Sequence, residues 1–138
     1  MSKGRMVKTR KAYVMKKRTP FHNTGPELIV RDLLKSVGLT TQRYYVPLVY
    51  TDEDGKAWSF EPDIEIPPNV VILVDGPHHF TSRFQAKDRW QNRAYASLGK
   101  KVIRVPYTIL KTKALQNYAI REIQRAIDGK EMITVILD

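Results

Sequence analysis

Residues 60–80 read FEPDIEIPPNVVILVDGPHHF, from Phe60 to Phe80. Inside this stretch Val70–Val74 is an unbroken apolar run rich in β-branched residues, bounded by Pro67-Pro68 and by Asp75-Gly76-Pro77. Neither face of the run carries a polar residue and it is too short for a helix, so it predicts a strand buried on both faces. Asp75 stands at its end, where a carboxylate must sit at the rim or meet a cation. Asp63 follows Pro62 and leads the alternating Ile64, Glu65, Ile66, an extended segment expected to run antiparallel to Val70–Val74 across the corner at 67–69. Depending on register, that pairing brings two carboxylates to one end of the sheet. Two hard oxygen donors with open positions beside them suit Mg²⁺ or Mn²⁺. Such an ion lowers the pKa of a bound water and polarises a phosphate.

Working outward, Thr24-Gly25-Pro26-Glu27 opens a first helix, with Thr24 as N-cap, Leu28, Ile29, Leu33, Leu34 and Val37 as its apolar stripe, and Gly38 as its stop. Gln42–Tyr50 and Lys56–Phe60 read as a hairpin turning at Asp54-Gly55. Tyr44, Tyr45, Tyr50, Trp58 and Phe60 read as sheet packing in preference to a base-stacking surface. Thr81 or Ser82 caps a second helix that turns Phe84, Ala94 and Leu98 to the sheet and Arg83, Lys87, Arg89 and Arg93 outward or toward phosphate. Gly99 stops it, and Lys101–Val105 is a strand expected to lie parallel to Val70–Val74 because a helix crosses between them. A long amphipathic helix is expected over Thr108–Asp128, and Met132–Leu137 as a last strand at a sheet edge or a dimer contact. These elements predict an α/β fold with a central mixed sheet of about 4–5 strands flanked by helices.

At 138 residues the chain is the length of one domain. The formal charge of +10 is uneven: residues 1–18 hold eight Lys or Arg and no acid, which leaves +2 for the rest. Residues 1–22 are therefore read as a basic, flexible arm and 23–138 as one domain, with Lys16, Lys17 and Arg18 as nucleic-acid contacts. Arg83–Arg104 carries seven basic residues against Asp88 alone, while Asp52–Asp75 carries seven acids against Lys56. An acidic metal end framed by basic segments suits a polyanionic substrate. The longest apolar run is far too short to span a bilayer and there is no cysteine, so a soluble, cytoplasmic or otherwise intracellular protein is expected.

Pro62-Asp63, then Val74-Asp75-Gly76, His79, Asp88, Arg89 and the ending Leu98-Gly-Lys-Lys-Val-Ile-Arg104 together resemble the very short patch repair-like branch of the PD-(D/E)XK nucleases. The resemblance runs from about Glu27 to Pro106. It implies a three-layer, restriction-endonuclease-like core and a Mg²⁺-dependent DNA endonuclease, with Mn²⁺ as a substitute ion. Asp63, Asp75 and the Val74 carbonyl would hold the metal, and His79 would transfer a proton or stabilise the leaving group, with His78 as its substitute. The usual acid-spacer-Lys pattern is absent, since Asp75-Gly76-Pro77 has no Lys, and Leu73 stands where many relatives have Glu. The resemblance places Glu27 near the metal; read locally, Glu27 only reciprocates the helix cap. Asp88 either steadies His79, favours the helix dipole or pairs with a nearby Arg. A structural zinc of the mismatch-nicking relatives is not expected without cysteine. The alternatives are a catalytically inactive nucleic-acid-binding module, a ribonuclease, or a metalloenzyme with a substrate other than nucleic acid. A monomer and a homodimer are both compatible with the sequence.

Overall fold

The computed structural model describes residues 11–14, 19–20, 25–42, 44–45, 47–51, 53–76 and 82–137. In chain order the elements are β1 (Lys11–Val14), β2 (Thr19–Pro20), α1 (Gly25–Ser36), β3 (Tyr44–Tyr45), β4 (Leu48–Thr51), β5 (Ala57–Phe60), β6 (Ile64–Ile66), β7 (Val70–Asp75), α2 (Ser82–Ser97), β8 (Lys101–Pro106), a 3-10 turn (Tyr107–Leu110), α3 (Lys113–Asp128) and β9 (Ile133–Val135). The chain is mixed α/β, built on a four-stranded mixed sheet in the order β6-β7-β8-β9.

β6 folds back antiparallel on β7 with Ile64 opposite Ile72 and Ile66 opposite Val70, as the alternation across the 67–69 corner predicts. β8 lies parallel to β7, Val70 opposite Lys101 and Leu73 opposite Arg104, and β9 is parallel to β8 at the edge. Side chains alternate across a strand, so β7 supplies two cores. Val70 and Ile72 join Ile64, Ile103 and Val105 against α1 and α3, where Val30, Leu34, Ala119 and Ile123 are buried. Val71, Leu73 and Val102 face the other way, against Ala94 and Tyr95 of α2 and Leu48, Tyr50 and Phe60 of the hairpin. That explains an apolar run with no polar face. Each such buried side chain contributes roughly 1.5–3 kcal/mol, so β7 anchors both cores.

Gly38 and Gly99 stop α1 and α2 as expected: both adopt positive φ, +80° and +76°. The Leu39 N–H then reaches back to the Leu34 carbonyl, and the Lys100 N–H to that of Tyr95. The C-terminal end of α3 is closed by a residue from another element. Lys101 Nζ donates to the Ala126 and Ile127 carbonyls at 3.0 Å each and to that of Gly129. A cation there also favours the negative end of the helix dipole.

Several expectations need correction. The span read as a basic arm contains β1, which pairs antiparallel with β4, and β2, which pairs with β3. Its short alternating Lys11–Val14 segment finds a partner only through the distant hairpin. The expected strand Gln42–Tyr50 is split into β3 and β4, which belong to different sheets. The hairpin itself forms, Thr51 opposite Ala57 and Leu48 opposite Phe60. Of the apolar stripe expected for α1, Leu28 is 47% exposed and Val37 falls in the turn beyond the helix, 38% exposed, while Val30 is buried instead. α3 starts at Lys113, where the Thr112 hydroxyl caps the Leu115 N–H at 3.1 Å; the stretch before it is the 3-10 turn.

Candidate functional site

Ile64 and Ile72 point to the α1/α3 side, so by alternation Asp63, Glu65, Leu73, Asp75 and Arg104 belong to the face covered by α2. β6 enters the sheet at the end where β7 leaves it. Asp63 and Asp75 therefore meet at one sheet end and line one cavity of about 340 Å³ with Glu61, Val74, Lys87, Asp88, Gln91 and Arg104. The lining carries four carboxylates against Lys87 and Arg104, a formal charge of −2.

Asp63 Oδ2 accepts the Val74 N–H at 2.6 Å. Burial pushes its carboxyl up to about 7; the Val74 bond and Arg104 oppose the rise, and the charges of Glu27 and Asp75 add to it. Asp63 is thus a carboxylate seated where its charge is poorly supported. Glu27 sits in the first turn of α1, and its charge is felt at Asp63. The Thr24 half of the predicted cap lies outside the described residues.

Asp75 is gripped by Arg104, whose Nε donates to Oδ2 at 2.9 Å and whose NH2 donates to Oδ1 at 2.8 Å. The same NH2 meets Asp88 Oδ1 at 3.0 Å, and NH1 donates to Asn92 Oδ1 at 2.8 Å and Gln91 Oε1 at 3.3 Å. Asp88 thus pairs with an Arg, Arg104, which is one of the roles open to it; the role of steadying His79 falls on a residue outside the described ones. On the same face Glu65 lies 3.9 Å from Lys100 Nζ, with burial raising its carboxyl and Lys100 lowering it.

His78 and His79 lie outside the described residues, as do Lys16, Lys17 and Arg18, and the Arg83 side chain is likewise not described. Lys87, Arg89 and Arg93 are exposed on α2, the outward orientation expected of them. Tyr50 and Phe60 are buried, and Trp58 packs edge-on against Trp90 with ring centroids 5.2 Å apart, which is sheet packing.

Compared with family models, curated proteins and solved structures, the chain matches none.

Two residues of the site carry no assignment from the sequence. Arg104 is 3% exposed and stands between the apolar Ile103 and Val105, and a charge at an inward position among apolar residues was the available signal. Arg31 of α1 donates to the Asp63 carbonyl at 3.3 Å and to Thr41 Oγ1 at 2.9 Å, fastening α1 to the start of β6. Burial lowers its pKa, and the charges of Glu27 and Asp63 hold it up. Nothing in the spacing of α1 announces that contact.

The donor set fits a divalent cation of the Mg²⁺ type. The cavity is negative, its donors are hard oxygens, and Asp63 is a half-buried carboxylate whose charged form is only partly supported. Among the described residues no group of three or more His, Cys, Asp or Glu side chains is placed to hold a metal ion. Mg²⁺ does not require one, since it is commonly held by one or two carboxylates with waters and substrate phosphates completing the shell.

Proposed function

We propose that this chain is a divalent-metal-dependent DNA endonuclease with a restriction-endonuclease-like core. The observation that carries the reading is the convergence of Asp63 and Asp75 on one net-negative cavity beneath a helix whose outer side is basic. Asp63 and Asp75, with the Val74 carbonyl, would hold Mg²⁺ or Mn²⁺, which when bound supplies a water of lowered pKa and offsets charge on the scissile phosphate. Lys87, Arg89 and Arg93 attract and seat the phosphate backbone along α2. Arg104 keeps Asp75 oriented, and Arg31 holds the backbone that carries Asp63. His79, or His78 beside it, follows Gly76 closely enough in sequence to serve the same end of the sheet as proton donor or acceptor. Glu27 adds negative charge to the metal side of the site.

A second reading is favoured by one observation: Arg104 covers both oxygens of Asp75, as a cation would. In that reading the fold binds nucleic acid without cutting it. Supercoiled plasmid incubated with Mg²⁺, Mn²⁺ or EDTA separates the two. Metal-dependent breaks that vanish in folded Asp63→Ala and Asp75→Ala support the nuclease. Salt-sensitive DNA binding with no breaks under any metal supports the binding module.

A further inference from the structure

We propose that Arg104 is a positioning residue: it fixes the orientation of Asp75, and α2 in turn holds Arg104 through Asp88, Gln91 and Asn92. The inference rests on the endonuclease reading and deepens it.

The register sets Arg104 opposite Leu73, so its side chain emerges on the same face as Asp75, two residues further along β7. A buried guanidinium is costly unless every donor is met. Here the five N–H groups have five acceptor contacts: Asp75 Oδ2 on Nε, Asp75 Oδ1 and Asp88 Oδ1 on NH2, and Asn92 Oδ1 and Gln91 Oε1 on NH1. At 3% exposure and fully committed, Arg104 has neither the access nor a spare donor for a phosphate. Its work is therefore done through Asp75. The paired Nε and NH2 bonds hold the carboxylate by both oxygens and so set its plane, which a single ammonium does not do. Each carboxylate oxygen has acceptor capacity beyond the one bond Arg104 makes with it.

α2 is the other half of the device. Asp88, Gln91 and Asn92 are spaced i, i+3 and i+4 on the inner side of the helix, while Lys87, Arg89 and Arg93 are exposed.

The test measures Mn²⁺ affinity by calorimetry without DNA, duplex affinity in EDTA, and kcat and KM for cleavage, on the full chain carrying Arg104→Lys or Asn92→Ala. Arg104→Lys keeps the charge and loses the paired grip; Asn92→Ala loosens Arg104 without touching a carboxylate. Loss of an outer support commonly lowers metal affinity about 10–100-fold, and that is the effect expected for folded Arg104→Lys. Asn92→Ala should show a smaller loss in the same direction. In both, duplex affinity in EDTA and KM hold while kcat falls. Unchanged Mn²⁺ affinity and kcat in folded Arg104→Lys overturn the proposal, and Asn92→Ala decides it by the same criterion if Arg104→Lys does not fold. A loss of duplex affinity with metal affinity intact also overturns it, because that marks a phosphate contact. Wild-type protein that binds no Mn²⁺ defeats the endonuclease reading itself, and this inference with it.

Discussion

The Asp63 carboxylate accepts the N–H of Val74 at 2.6 Å, so the acid just before β6 is fastened to the residue just before Asp75. That bond holds the two acids of the site in one place, and it does not fully compensate the burial of Asp63.

The consequence is a pH-dependent stability. The folded-state pKa of Asp63, about 7, lies above its ordinary 3.8, so the folded state binds this proton more tightly than the unfolded chain. The contribution is fully present below the unfolded value and is lost as pH rises through about 7. In EDTA, Asp63→Asn should leave stability near pH 4 unchanged and raise it at pH 8, by on the order of 2–4 kcal/mol. Urea unfolding at the two pH values checks this. Equal effects at both would contradict it.

Glu27 contributes to the same rise through its charge. Glu27→Gln should move the Asp63 titration to lower pH, read by carbon NMR of the Asp63 carboxyl. If Glu27 only reciprocates the helix cap, the titration stays where it is in the wild type.

Removing the buried cation should be severe. Arg104→Met leaves Asp75 and Asp88 without their shared partner. Breaking a buried pair in this way costs about 3–5 kcal/mol. The triple variant Arg104→Met, Asp75→Asn, Asp88→Asn should recover much of the loss, because no uncompensated charge remains. A single variant as stable as the wild type in urea would show that the cluster is not held by charge.

Deletions at the basic end should divide into two effects. Residues 1–10 hold Lys3, Arg5, Lys8 and Arg10, and their removal should flatten the salt dependence of duplex binding while leaving the melting temperature unchanged. Removal of residues 1–18 also takes away β1, which pairs with β4, and should lower the melting temperature as well. Anisotropy titrations at several salt concentrations and thermal melts measure the two separately.

The sequence was most legible where a single physical demand decided the outcome. Val70–Val74 had to be buried on both faces, Gly38 and Gly99 had to end helices, and the alternation through Ile64 and Ile66 carried Asp63 to the end of the sheet occupied by Asp75. It was least legible where long-range pairing decides. β1 is a strand because β4 offers it an edge, and Gln42–Tyr50 splits because its halves pair with different strands. The role of Arg104 depends on a cross-strand register and on a helix turn twelve to sixteen residues earlier, which no local pattern encodes. Arg31 is further still from sequence reasoning, since its acceptor near the site is a backbone carbonyl on another element.

The central claim is that Asp63 and Asp75 share one divalent cation, and Mn²⁺ titration followed by electron paramagnetic resonance tests it most directly. The account predicts that the free-ion signal is suppressed up to one Mn²⁺ per wild-type chain, and that Asp63→Asn and Asp75→Asn, both folded, leave the ion free. Wild-type protein that leaves all Mn²⁺ free, or variants that bind it as the wild type does, would contradict the claim.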